Sequence, residues 1–133
     1  IDIYSLNDDG NLIDAAEIGA VAALKTARMP KYDEETGRVV YGELTDKKIP
    51  LQKEPPITIT AHKIGDSWIV DPTLEEEDVS EARVSIGATP DGTISSIQKG
   101  EAREIDIEEF GDVIDLAEKV RKKVFSSIEK SLK

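Results

Sequence analysis

The residues best suited to chemistry lie between Asp71 and Arg83, where several acidic side chains surround one basic side chain. Asp71 follows a short apolar stretch, an acidic run extends from Glu75 to Asp78, and Glu81 comes just before Arg83. Carboxylates that meet at one point can transfer protons or hold a divalent cation. Arg83 does not fit that chemistry, because a guanidinium keeps its positive charge at any working pH.

Two predicted strands would position these side chains. The stretch from Trp68 to Val70 predicts a buried strand, and Pro72 ends it because proline has no amide proton to donate. The acidic run that follows is, in most proteins, a solvated turn of helix. A second strand then alternates its faces, with Ala82, Val84, Ile86 and Ala88 on one side and Glu81, Arg83 and Ser85 on the other.

Charge and composition limit the classes of function. The 133 residues carry a net charge of −11 and include no cysteine and one histidine. Disulfides and the usual zinc sites are therefore not expected, and the absence of thiols fits a cytoplasmic location. The negative charge argues against a nucleic-acid surface on this chain by itself and suits docking to a basic partner. No apolar run approaches the roughly 20 residues that a membrane span needs, so no membrane contact is expected.

Other motifs support structural interpretations. The turn at Asn7–Asn11 has the wrong spacing for a calcium loop, since Ala16 falls where a bidentate glutamate is required. His62 alternates with the polar face of a predicted strand, which indicates a half-exposed structural histidine. The basic residues Arg121–Lys123 lie toward the end of a predicted helix, where they complement its dipole.

The hydrophobic periodicity predicts an α+β fold, in which a mostly antiparallel four-stranded sheet is packed by helices. Residues 1–30 predict a strand ending at Leu6, a turn and a helix, and the strand-like pattern at Ile1 suggests that an upstream portion exists. Residues 31–56 predict a polar hairpin or linker. Residues 57–133 predict four strands in a meander and then a long helix with an apolar stripe from Ile107 to Ile128.

Capping signals accompany both predicted helices. Asp14 is the expected N-cap of the first helix, with Glu17 as its capping-box partner. Asp106 is the expected N-cap of the last helix, with Glu109 in the corresponding position.

Several of these segments together resemble one protein family. The segment Val70-Asp71-Pro72-Thr73-Leu74-Glu75-Glu76-Glu77, the pair Ala82-Arg83, the hairpin Pro90-Asp91-Gly92 and the final helix are similar to the C-terminal part of RNase PH-type phosphorolytic exoribonucleases. Asp8-Asp9-Gly10-Asn11-Leu12-Ile13-Asp14-Ala15 resembles the acidic-glycine turn and small-residue helix of the same family. The resemblance is strongest to the non-catalytic RNase PH-like ring subunit of the archaeal exosome. It implies an RNase PH-like fold, of the ribosomal-protein-S5-domain-2-like type, with residues 1–30 ending the upstream half of that fold.

The resemblance also implies a degenerate site. Catalytic members resemble this pattern but carry aspartates at the positions of Glu77 and Arg83. Asp71, Glu77 and Arg83 would therefore form no working catalytic site, and neither a metal nor a cofactor is implied. Arg83 would instead form a structural ion pair with Glu81, Glu77 or Asp71, or with an acidic residue of a partner.

The implied assembly is a hexameric ring of three heterodimers that degrades RNA from 3′ to 5′. A catalytic RNase PH-like subunit would be the direct partner, RNA-binding cap subunits would join the ring, and RNA would pass through its channel. The residues of this chain that would contact RNA are not indicated. Two alternatives stay open, namely an active phosphate-dependent exoribonuclease that uses Asp71, Glu77 and Asp78 despite Arg83, and a free acidic α+β adaptor.

Overall fold

Nine helices and strands form in the computed structural model, which describes residues 1–53 and 55–132. In chain order they are α1 (Leu12–Thr26), β1 (Arg28–Asp33), β2 (Arg38–Lys48), β3 (Ile57–Ile64), β4 (Ser67–Val70), α2 (Leu74–Asp78), β5 (Ala82–Ala88), β6 (Ile94–Gly100) and α3 (Ile107–Ser131). β3 to β6 form an antiparallel four-stranded sheet, and β1 and β2 form a separate two-stranded sheet. The predicted α+β class and its four-stranded antiparallel sheet are confirmed.

The order of the strands differs from the predicted meander. Across the sheet the order is β4-β3-β5-β6, so β5 pairs with β3 and not with β4. Both β4 and β5 run antiparallel to β3, and the segment between them must cross over that strand. That segment contains α2, whose Thr73 and Glu76 form a reciprocal capping box. The acidic run is therefore a short helix in a crossover, a connection that a meander would not need.

Strand alternation creates the core on one face of the sheet. Ile57, Ile59 and Ala61 of β3 lie beside Val84 and Ile86 of β5, and all five are buried. α3 packs on this face through Val113, Ala117, Phe125 and Ile128. Most of the predicted stripe on α3 is confirmed, but Ile107 is 81% exposed because it lies in the first turn, beyond the packed face. The same helix buries Arg121, which the sequence placed in a basic cluster that complements the helix dipole.

The predicted helix caps are partly correct. Asp106 accepts hydrogen bonds from the amides of Glu108 and Glu109, as an N-cap does. Glu109 does not complete a capping box, because its carboxylate bonds Lys63 and Arg103 instead. The prediction that Asp14 caps α1 is wrong. Asn11 occupies that position without a side-chain cap, and the helix starts at Leu12.

The segment between α1 and β3 contains a hairpin, which is one of the two forms predicted for residues 31–56. Its strands begin at Arg28, three residues before the expected boundary, and reach Lys48. The strand predicted before Leu6 does not form, because no described segment pairs with residues 1–6 to bond their amides and carbonyls.

The three-part division of the chain stays a prediction. Among the described helices, none combines the length and the apolarity needed to cross a membrane.

Candidate functional site

Two acids of the predicted degenerate site hold the turn that leads into α1. Asp71 follows β4 in a left-handed backbone conformation, with φ of 56°, and its Oδ1 accepts a hydrogen bond from Asn11 Nδ2 at 3.0 Å. Glu77 Oε1 accepts another from the Asn11 amide at 2.8 Å. Asn11 is also left-handed, a conformation that asparagine and aspartate tolerate better than most residues. Both carboxylates are therefore engaged in fixing the turn.

The turn packs closely against the start of the acidic crossover. A Cβ placed on Gly10 would overlap the carbonyl oxygen of Pro72, and Gly10 has φ of 89°. Glycine meets both demands, since it has no side chain and adopts positive φ freely. Asp8 Oδ1 accepts from the Gly10 amide at 3.0 Å, which closes the turn.

Arg83 lies between strands, half-buried, with a histidine on one side and a glycine on the other. In the sheet its register partners are His62 on β3 and Gly100 on β6. A Cβ on Gly100 would lie 2.9 Å from both Nε and Nη2 of Arg83, so the guanidinium rests against the Gly100 backbone. Within the described residues, no carboxylate lies within 4.0 Å of that guanidinium. The described residues therefore provide no counterion for the positive charge of Arg83.

The predicted ion pair between Arg83 and Glu81 is not formed among the described residues. Glu81 Oε2 lies 3.5 Å from Arg103 Nε, and Glu81 Oε1 accepts from the Gly65 amide at 3.2 Å. Glu81 lies in a bend before β5, so the alternation that would place it beside Arg83 does not extend to it. β5 begins at Ala82, one residue later than the predicted strand.

His62 is buried, although its position on the polar face predicted half exposure. It is 4% exposed, and its Nδ1 lies 3.1 Å from Ser80 Oγ in the segment after α2. Burial lowers the pKa of His62, and the charge of Arg83 lowers it further, while Glu77 and Glu101 act in the opposite direction. The crossover covers this face of β3, which strand alternation alone does not reveal.

A second ionic cluster, not found from the sequence, joins β3 to the start of α3. Lys63 is 5% exposed, its Nζ lies 3.0 Å from Glu109 Oε1, and it lies 5.5 Å from the centre of the Trp68 ring. Arg103 contacts the same carboxylate at 3.1 Å. The hydrogen bond from Lys63, more than that from Arg103, lowers the pKa of Glu109. Lys63 continues the apolar alternation of Ile57–Ala61, a signal that could have indicated its burial.

The arrangement around Arg83 suits recognition of an anion and does not suit proton transfer. Asp71 and Glu77 accept hydrogen bonds from Asn11, and Arg83 is a permanent cation. Within residues 1–53 and 55–132, no three His, Asp or Glu side chains are grouped in a way that could hold a metal ion.

Comparison with known proteins identifies the family. The model of domain 2 of the 3′ exoribonuclease family, known as RNase_PH_C, matches residues 54–120. The chain belongs to the 3′ exoribonuclease family. The resemblance to RNase PH-type proteins is thereby confirmed.

Two curated relatives of this chain come from archaea. Exosome complex component Rrp42 of Pyrococcus furiosus is 44% identical over 98% of this chain and 49% of its own length. The protein of the same name from Thermococcus onnurineus is 43% identical over 96% of this chain and 48% of its own. The chain therefore spans about half the length of these curated relatives.

Solved structures agree on the fold of this family member. A chain of the Archaeoglobus fulgidus exosome with RNA bound to the active site matches with a TM-score of 0.75 and 27% identity, over 92% of this chain and 45% of that one. A chain of an archaeal exosome core matches with a TM-score of 0.70 and 30% identity, over 89% and 46%. The fold is RNase PH-like, as the resemblance implied.

Proposed function

We propose that this chain is a non-catalytic subunit of an archaeal exosome ring that degrades RNA from 3′ to 5′. In this proposal three copies alternate with three copies of a catalytic RNase PH-like subunit, cap subunits bind RNA above the ring, and the assembly works in the cytoplasm. The names of the curated relatives and the exosome structures with the same fold support it.

The observation that carries the proposal is the state of the three residues of the degenerate site. Asp71 and Glu77 are hydrogen-bonded to Asn11, which makes them structural acceptors. Arg83 is a fixed cation, and a guanidinium can neither accept a proton nor bind a divalent cation. Of the three positions, two thus hold acids that are bonded to Asn11, and the third holds no acid.

Arg83 would act on the partner subunit. Its guanidinium is half-buried, rests against Gly100 and has no described counterion within 4.0 Å. A carboxylate of the catalytic partner would supply that counterion and fix the position of the partner's active-site loop. Removing one member of such a buried interfacial pair costs about 2–5 kcal/mol of binding free energy, which is more than tenfold in the dissociation constant.

A reconstituted ring tests this function. The full-length chain alone, incubated with labelled RNA, phosphate and magnesium, should release no nucleoside diphosphate, whereas the ring with its catalytic partner should release it steadily. Release by the chain alone would favour the active-enzyme alternative. Failure of the two proteins to co-assemble in size-exclusion chromatography with mass detection would favour the free adaptor.

The role of Arg83 can be separated from general charge effects. Arg83→Gln should weaken association with the partner by about tenfold or more. Arg38→Gln, at an exposed position on β2, makes the same change in net charge and should leave association unchanged. Equal losses in both variants would remove Arg83 from the interface.

Gly100 provides an independent probe of the same contact. Gly100→Ala would push the flexible end of Arg83 by a few tenths of an ångström without meeting backbone, so association should weaken while folding is retained. Gly111→Ala, where an added Cβ meets nothing within 4 Å, is the matched control.

A single carboxylate should not restore catalysis. We expect Arg83→Asp to remain without phosphorolytic activity, because Asp71 and Glu77 would still be bound to Asn11. The measurement is nucleoside diphosphate release by the variant chain in the absence of its partner. Measurable turnover would mean that the remaining pocket is intact and that the site is one residue away from function.

A further inference from the structure

A cavity of about 660 Å³ lies at the base of the β1–β2 hairpin, and its lining includes none of the three residues of the degenerate site. The end of α1, the start of β1, the end of β2 and the end of α3 surround it. Its lining includes four basic side chains and one acidic side chain: Lys25, Arg28, Lys48, Lys53 and Glu129. A volume of this size falls in the range of small-ligand sites, roughly 300–1,000 Å³.

The charge of this region contrasts with the rest of the molecule. The whole chain has 17 basic and 28 acidic residues, yet the segment from Lys25 to Lys53 has seven basic against five acidic. Within the described part of the chain, none of the four cations in the lining has a carboxylate within 4.0 Å. The cavity is therefore a locally positive concavity on a strongly acidic protein.

The register of the hairpin adds an independent sign of an anion. Arg28 on β1 lies directly opposite Lys48 on β2. Like charges in directly opposed positions of an antiparallel pair destabilise the pair. Arg28 is nevertheless held there, because its Nη1 donates a hydrogen bond to the Asp46 carbonyl oxygen at 3.2 Å. An anion bound between Arg28 and Lys48 would be attracted by both side chains and would remove their mutual repulsion.

We propose that this cavity binds the phosphodiester backbone of single-stranded RNA. The proposal rests on the function proposed above, which makes RNA the polyanion available to the chain. Arginine and lysine are the side chains that recognise phosphate, arginine through its planar fork and lysine as a point charge. No aromatic side chain is among the lining residues, so bases would find no stacking surface and binding would not depend on sequence.

Salt dependence of binding gives a quantitative test. With four phosphate contacts, the slope of log K against log salt for single-stranded RNA should be near −3, from about −0.7 per contact. Binding of a fluorescent oligoadenylate to the full-length chain is measured by anisotropy at several salt concentrations. The double variant R28Q/K48Q should bind more weakly and lower the steepness of the slope by about 1.4, which is two contacts.

Three variants separate a built site from general electrostatics. R28Q/K48Q should also raise the melting temperature without RNA, because it removes the repulsion, whereas loss of a purely structural contact would lower it. K25Q/K53Q, in the same cavity but outside the hairpin pairing, should reduce the slope equally and should not raise the melting temperature, because Lys25 lies in the last turn of α1, where a cation favours the helix dipole. K119Q/K122Q on α3 makes the same change in net charge and should alter RNA binding little.

Several outcomes would overturn the proposal. An equal loss of RNA binding in K119Q/K122Q would assign binding to net charge alone. The cavity would belong to another ligand if inorganic phosphate protected the chain from thermal unfolding while RNA did not bind. The same conclusion would follow if an acidic peptide bound in place of RNA. Ring assembly and turnover are measured separately, so a chain that binds RNA but does not join a ring would contradict the proposed function and leave this site standing.

Discussion

Asp14 is an ionisable side chain in the interior of the molecule. Its two carboxylate oxygens accept hydrogen bonds from the amide and the hydroxyl of Thr60, at 2.7 and 2.6 Å. The Thr60 hydroxyl also lies 2.9 Å from Ser85 Oγ, which extends the network to β5. Burial raises the pKa of Asp14, and the bonds from Thr60 oppose that rise. The side chain links α1 to β3, an interior strand of the main sheet.

Removal of the acceptors at this position should destabilise the fold. Asp14→Leu would leave the Thr60 amide without its partner, and a buried unsatisfied donor costs about 1–3 kcal/mol. Asp14→Asn keeps one acceptor oxygen and should cost less. Urea unfolding at neutral pH measures both free energies. A leucine variant as stable as the asparagine variant would show that water replaces the carboxylate.

Local signals predicted some side-chain roles and missed those that depend on packing. The cap at Asp106 follows from a short polar residue placed before an apolar stripe, and it was found. Asp14 looks like a cap by the same rule, yet its place is set by Thr60, which is 46 residues away. Arg83 was recognised as unusual, but its neighbours depend on strand register, which no local pattern specifies.

At the scale of elements, alanine substitutions at two glycines should change stability in opposite directions, one through turn geometry and the other through helix propensity. Gly10→Ala should destabilise the protein, because the added Cβ would meet the Pro72 backbone at a residue with φ of 89°. Gly19→Ala, in the middle of α1 with nothing within 4 Å, should stabilise it by about 0.5–1 kcal/mol. Thermal unfolding of the two variants should shift in opposite directions. A shift in the same direction would mean that the turn relaxes freely away from the crossover.

Arg121 joins α3 to the turn between β5 and β6. Its guanidinium bonds the carbonyl oxygens of Thr89 and Pro90 and both carboxylate oxygens of Glu118. We expect Arg121→Ala to cost about 1.5–3 kcal/mol, the range for hydrogen bonds to charged groups. Lys122→Ala removes an exposed partner of the same Glu118 and should cost no more than about 1 kcal/mol. Equal free energies of unfolding for the two variants would contradict the anchoring role of Arg121.

Elements were predicted better than their arrangement. The apolar alternation of Ile57–Ala61 and Ala82–Ala88 identifies β3 and β5, because half-buried strands need that pattern. The predicted strand order, a meander, was wrong. Hydrophobic alternation cannot tell a meander from a crossover, because both place the same residues on the same faces of the sheet. The decisive feature is α2, whose capping box at Thr73 and Glu76 was present in the sequence, but the acidic run was interpreted as a solvated turn of helix and not as part of a crossover.

At the scale of the whole molecule, carboxyl groups with opposite pKa shifts determine how stability depends on pH. Hydrogen bonds lower the pKa of Asp33, Asp91, Glu109 and Glu118, whereas burial raises that of Asp14. A lowered pKa means that the unfolded chain takes up protons first, so the stability from these four groups is lost as the pH falls. Asp14 acts in the opposite sense, since its protonation favours the folded state until the unfolded chain is protonated as well. The four groups therefore contribute a loss of stability as the pH falls, and Asp14 opposes that loss.

Glu109 should account for a distinct part of this acid sensitivity, because it is the counterion of the buried Lys63. As the pH falls below the usual glutamate pKa of about 4.3, the wild-type free energy of unfolding should decline. Glu109→Gln should be less stable at neutral pH and should decline less steeply, because it has lost the group whose proton uptake is coupled to unfolding. Glu108→Gln, an exposed neighbour in the same helical turn, is the matched control and should follow the wild-type curve. Urea unfolding measured from about pH 7 to pH 3 compares the three proteins. Parallel curves for wild type and Glu109→Gln would mean that Lys63 and Arg103 do not hold this carboxylate in its charged form.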